Sequence, residues 1–198
     1  PSRKRWNIAL GVVALFAVVG WFDVVVGWPA HERNSAIGEI ERVDGWVVWE
    51  QVPVKLFGRY YVTHVFLSDT RISDKGLRYL SSLKNLQFLG LTNTKISDAG
   101  LKHLRSPTTL QELWLNGTHV SDNGLKHLSG LTSLQVLSLA DTTISDEGLK
   151  HLSGLTSLQL LKLNDTQVTG EGVKMLQESL QQVLLIFPSY GLTVQLHI

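Results

Sequence analysis

Cysteine is absent from this 198-residue chain. No disulfide can staple it and no thiolate can hold zinc, so it folds by packing alone. Charge is also scarce: 18% of residues are charged, against roughly a quarter in typical soluble domains. The formal net charge is +1, which removes the strong positive excess of a dedicated nucleic-acid binder. A disordered chain needs few apolar residues and a large net charge. Here 43% of residues are apolar, so that class is excluded as well. What is abundant is leucine, with 34 copies unevenly spread.

The first uneven feature is at the N-terminus. Arg3, Lys4 and Arg5 precede a 21-residue run from Ile8 to Trp28 whose only charge is Asp23. About 20 apolar helical residues cross a bilayer core of about 30 Å. Trp21 and Trp28 suit the interface, where indole rings collect. A carboxylate at mid-membrane costs about 2.5–3.5 kcal/mol, but Asp23 lies near the far end of the run, where the cost falls. The rival is a cleaved signal peptide with Ile8 to Val19 as its apolar stretch. Bulky Trp21 and Phe22 follow where a small-x-small cleavage site belongs. The expectation is therefore a basic cytoplasmic tail at 1–7 and a transmembrane signal anchor at 8–28. Everything after it is then displayed outside the cytoplasm by the positive-inside rule.

The second feature is a repeat. Leu67, Leu91, Leu115, Leu139 and Leu163 are 24 residues apart. So are Thr70, Thr94, Thr118, Thr142 and Thr166, and likewise Gly76, Gly100, Gly124, Gly148 and Gly172. In one unit, Leu86, Leu89 and Leu91 fit a short strand with its entry turn, and Leu101 and Leu104 share one helical face. Ser97-Asp98 and their copies sit where side-chain oxygens can cap each helix start. A single unit cannot bury its own leucines, but stacked units form a continuous core. The threonine hydroxyls suit the backbone groups of the turn that leaves each strand.

These units resemble the leucine-rich-repeat superfamily, in the bacterial variant with 24-residue T-x-[IV]-[ST]-D-x-G-L repeats. The resemblance covers roughly Val62 to Leu185 and implies an α/β fold. That fold is a right-handed leucine-rich-repeat solenoid, with parallel strands on the concave face and short helices on the convex face. It also implies binding rather than catalysis. About five repeats are expected over 62–186, behind an N-terminal cap at 29–61 and before a C-terminal tail at 187–198. In the cap, AIGEIERV reads as a short amphipathic helix and WVVWEQVPVKL as a strand. Val183 to Phe187 reads as a last strand stopped by Pro188. Pro107 takes a leucine position and should distort the turn from Arg105 to Thr109. Val168-Thr169-Gly170 departs from the pattern and marks the end of the array. The missing cysteines also matter here, since animal extracellular repeat domains often have disulfide caps. A bacterial cell-envelope setting is implied.

In each strand the residues between the leucines point out of the concave face. Four columns follow: His64, Phe88, Glu112, Val136, Leu160; then Phe66, Gly90, Trp114, Ser138, Lys162; then Ser68, Thr92, Asn116, Ala140, Asn164; and last Asp69, Asn93, Gly117, Asp141, Asp165. With strands about 4.8 Å apart, Phe66, Phe88 and Trp114 fall close enough to form one aromatic cluster. The cap or the tail is the alternative cover for such a patch, since monomers rarely expose one. His64, Phe66, Phe88, Glu112, Trp114, Asn116 and Lys162 are the candidate ligand-binding residues. The expected partner is a protein or peptide, with no nucleic acid and no cofactor. A structural or self-associating envelope protein, or a carbohydrate-binding module, are the alternatives.

No metal and no catalytic residue is expected. His103, His127 and His151 form one column, but neighbouring helices about 8–10 Å apart hold imidazoles too far apart for one zinc. Lys102, Lys126 and Lys150 read as a solvated face. Asn116-Gly-Thr118 and Asn164-Asp-Thr166 fit the N-glycosylation pattern only because the repeat forces threonine there.

Overall fold

A computed structural model describes residues 35–52, 59–105, 109–180 and 184–186. The expected tail at 1–7, the anchor at 8–28, the C-terminal tail at 187–198 and Pro107 lie outside the described residues. Among the described residues no helix is long and apolar enough to cross a membrane.

The cap begins with helix α1 (Ser35–Arg42), whose Ile37 and Ile40 are buried. It continues into strand β1 (Trp46–Val52), which pairs antiparallel with β2 (Arg59–Phe66). From β2 onward every neighbour is parallel: β3 (Phe88–Gly90), β4 (Glu112–Trp114), β5 (Val136–Ser138), β6 (Leu160–Lys162) and β7 (Leu184–Ile186). Among the described residues the result is one seven-stranded sheet in chain order. Its register steps by 24 residues at each pair, with His64 opposite Phe88, Phe88 opposite Glu112, Glu112 opposite Val136, and Val136 opposite Leu160.

Between strands the chain makes one α-helical turn: α2 (Asp74–Leu77), α3 (Asp98–Leu101), α4 (Asp122–Leu125) and α5 (Asp146–Leu149). Three of these tighten into a 3-10 turn, at Arg78–Ser82, Lys102–Arg105 and Lys150–Leu152. The fifth, α6 (Gly170–Ser179), is a longer, continuous helix. Helical turns need more room than strands, so the strand side is the inner face of the stack.

The middle residue of each strand from β3 to β6 faces the core. Leu89, Leu113, Leu137 and Leu161 are fully buried, as are Leu91, Leu115 and Leu139 where each strand ends. Each such leucine is worth about 1.5–3 kcal/mol relative to exposure. The threonine column does what its position suggests. Each Oγ1 donates to the leucine carbonyl three residues back, at 2.5–2.7 Å, in all five repeats.

One expectation needs correcting. Asp69, Asn93, Gly117, Asp141 and Asp165 do not belong to the strand face; each is a turn residue in the left-handed region, with φ from 54° to 62°. Asn, Asp and Gly tolerate that conformation best, which explains the composition of the column.

The Ser-Asp pairs do cap at Ser97 and Ser145, whose hydroxyls accept from the Ala99 and Glu147 N–H groups (3.3 Å each), but they also act between repeats, which capping did not predict. Asp74 accepts from the Ser97 N–H (2.8 Å) and Oγ–H (2.6 Å) of the next repeat. Asp98 serves Ser121, Asp122 serves Ser145 and Asp146 serves Thr169 in the same way. The glycine column exists to admit these carboxylates: a Cβ on Gly100 would lie 2.5 Å from Asp74 Oδ1. At the front of the array Glu39 of α1 occupies the equivalent place, 3.1 Å from where a Gly76 Cβ would be. Arg42 donates to Glu39 (2.8 Å) and holds its carboxyl below the usual glutamate range. At the far end Gly170 replaces the next aspartate, and the ladder stops.

Candidate functional site

The strand face carries two separate groups of side chains. The first is built where the cap meets the repeats. Trp46 is the register partner of Phe66, and their rings stack at 3.8 Å between centroids, 3° from parallel. Phe66 is followed across the sheet by Phe88 (4.6 Å, 30°), and His64 lies 5.8 Å from the Phe88 ring. The sequence places Gly90, not Phe88, opposite Phe66. That glycine makes the contact possible, since a Cβ there would come within 3.2 Å of the Phe88 ring. His64 Nδ1 is held 2.9 Å from Thr63 Oγ1. Trp46 remains 39% exposed. The alternative of a covering cap is met in part: β1 lays Trp46 over Phe66, yet with Trp46 still exposed it also continues the face by one ring.

The second group sits three strands on. Trp114 Nε1 donates to Glu112 at 3.3 Å, and Lys162 Nζ lies 4.5 Å from the centre of the Trp114 ring. Trp114, Ser138 and Lys162 are successive register partners. The lysine therefore spans two strand steps, about 9.6 Å, to reach the indole. Ser138 lies between them, 0% exposed, and its Oγ has no hydrogen-bond partner. A cation over an indole face is attracted by the ring's negative quadrupole.

The candidate residues therefore divide. His64, Phe66 and Phe88 come together with Trp46. Glu112, Trp114 and Lys162 come together around Ser138. Trp114 does not complete the aromatic cluster expected with Phe66 and Phe88; its recorded contacts are Glu112 and Lys162. Asn116 belongs to neither group, because its Oδ1 accepts from the Ala140 N–H of the next repeat (3.2 Å). Trp46 was missed because it lies outside the 24-residue period. Its signal is the continuous apolar run WVVW of a strand beside the first repeat.

On the helix side His103, His127 and His151 fall one per repeat and are half-buried. Among the described residues no group of three or more His, Asp or Glu side chains is placed to hold a metal ion. Lys126 donates to Asn123 Oδ1 (2.7 Å), and Lys150 pairs with Glu147 (2.5 Å).

Residues 106–129, 130–153 and 154–176 match the family model described as a leucine-rich repeat, so this stretch is three leucine-rich repeats. No curated protein matches the sequence. Among solved structures, the leucine-rich-repeat ectodomain of the Arabidopsis thaliana receptor kinase SOBIR1 is 18% identical, with a TM-score of 0.48 over 91% of this chain and 96% of that one. The PEPR1–AtPEP1 structure is 21% identical, with a TM-score of 0.43 over 65% of this chain and 18% of that one. The ectodomain of the Arabidopsis thaliana receptor kinase GASSHO1/SCHENGEN3, solved with CASPARIAN STRIP INTEGRITY FACTOR 2, is 21% identical. Its TM-score is 0.40 over 55% of this chain and 13% of that one.

Proposed function

We propose that this leucine-rich-repeat chain is a non-catalytic binding module that holds a protein or peptide partner against its strand face. One observation carries the reading: the stacked strip of Trp46, Phe66 and Phe88, open to solvent at Trp46. Aromatic rings held rigid by their neighbours lose little freedom on binding, and they dominate interface energetics. Seven strands make a face about 29 Å across, suited to a short peptide or a small domain edge. The strip receives apolar side chains. Glu112 and Lys162 offer one charge of each sign beside Trp114, to fix the orientation of what binds.

The module is tethered by the run from Ile8 to Trp28 and displayed outside the cytoplasm. Arg3, Lys4 and Arg5 before that run support this orientation. The lack of any disulfide supports a bacterial cell envelope rather than an animal cell surface.

Site-specific photo-crosslinking tests the reading. A photoreactive residue replaces Lys162 on the strand face or Lys126 on the helix side of the 198-residue chain. The expected result is a discrete adduct from position 162 and none from 126. Adducts from 126 alone overturn the proposal.

A further inference from the structure

The turns that leave the strands form a third surface, the lateral edge of the array, and neither group above uses it. Each turn presents a left-handed residue and, two positions on, a second residue. Along the edge these are Asp69 and Arg71, Asn93 and Lys95, Gly117 and His119, Asp141 and Thr143, then Asp165 and Gln167. Arg71, Lys95, His119, Asp141 and Asp165 are all exposed. The one acid at the basic end is engaged, since Asn93 Nδ2 donates to Asp69 at 2.9 Å. No hydrogen bond or ion pair to another described residue is recorded for the side chains of Arg71, Lys95, Asp141 and Asp165.

The edge is therefore polarised, positive over its first turns and negative over its last. The same polarity runs through the array. Residues 62–105 hold seven Lys and Arg against three Asp and Glu, whereas residues 109–180 hold four against eight.

We propose that this edge pairs with the same edge of a second copy of the chain, antiparallel, about a two-fold axis at Gly117 and His119. A two-fold contact must be self-complementary, residue i meeting j and j meeting i. This edge meets that condition. Arg71 and Lys95 are one strand step apart, and so are Asp141 and Asp165, about 4.8 Å in each case. Reversing one copy sets Arg71 against Asp165 and Lys95 against Asp141, and then the same two pairs again by symmetry. Gly117 is the only residue of its column without a side chain, and it lies at the axis, where the backbones approach most closely. A parallel arrangement would set Arg71 on Arg71 and Asp165 on Asp165, which repel. Exposed ion pairs are individually weak and screened by salt, so the dimer is salt-sensitive. This pairing leaves the strand face of both copies open.

The chain has no cysteine, so a single introduced thiol reports one position. The 198-residue chain in zwitterionic detergent at low salt is oxidised mildly and run on a non-reducing gel. His119→Cys, at the axis, should cross-link to its own copy. Arg71→Cys, held away from its copy, should not. Adding Lys95→Glu to His119→Cys should lower the cross-linked fraction by roughly tenfold, because it sets glutamate against Asp141. Adding Asp141→Lys as well should restore it. The proposal is overturned if His119→Cys links no better than Arg71→Cys. It is also overturned if Lys95→Glu changes nothing, or if the double charge swap fails to restore the link.

Discussion

Asp98 and Trp114 belong to one repeat unit but have different kinds of partner. Asp98 accepts two hydrogen bonds from Ser121 in the next unit, and Asp74, Asp122 and Asp146 do the same in theirs. Trp114 does not recur; its column holds Phe66, Gly90, Ser138 and Lys162. A side chain whose partner is the next repeat must recur with the repeat, or the ladder breaks. A side chain that faces outward carries no such constraint. Strict periodicity in this chain thus marks what holds the stack together, and its failure marks the surface free to recognise something else.

The contrast breaks most visibly in the core. Leu113→Ala should cost about 2–5 kcal/mol in denaturant unfolding, because Leu113 is fully buried and its neighbours are shared by two repeats. Next comes the glycine column. Gly100→Ala drives a methyl into the Asp74 carboxylate and should cost about 1–3 kcal/mol. Gly130→Ala meets nothing within 4 Å and should stay within about 0.5 kcal/mol of the parent. Equal losses at the two glycines would dissolve the distinction.

The serines sharpen it further. Ser121 makes no side-chain bond to its own helix, so Ser121→Ala reports the Asp98 contact alone and should cost about 1 kcal/mol. Ser138→Ala removes a buried hydroxyl that has no partner and should be neutral or slightly stabilising.

The smallest effect belongs to the cap. Glu39 has its pKa lowered in the fold, chiefly by the hydrogen bond from Arg42. A lowered pKa means the contribution is full above the usual glutamate range and is lost as pH falls through the folded value. Protection of the α1 amides, taken relative to their intrinsic exchange rates at each pH, should therefore fall on acidification, and Arg42→Ala should remove most of that pH dependence.

Much of this was legible in the sequence. The leucine columns, the strand positions and the residue-by-residue register of the parallel strands followed from the 24-residue period, since the period fixes which residues stand side by side. The Asp–Ser ladder was not legible. Ser97 is two residues from the Ala99 N–H and 23 from Asp74, and local capping rules favour the near partner. The structure has both, at 3.3 Å and 2.6 Å respectively. Alternation alone cannot show where a three-residue strand stops, so from sequence the turn column reads as strand. Trp46 escaped because no repeat predicts the cap. In the site, the Trp114–Lys162 contact depends on a small residue, Ser138, lying between two long ones. Only the register makes that visible.

The most direct measurement sets Ser121→Ala beside Trp114→Ala, following both unfolding and affinity for the partner captured at position 162. Ser121→Ala should lower stability and leave affinity unchanged. Trp114→Ala should leave stability within about 1 kcal/mol and weaken binding by about tenfold or more. A folded Trp114→Ala chain that binds as tightly as the parent would contradict the assignment of recognition to the strand face.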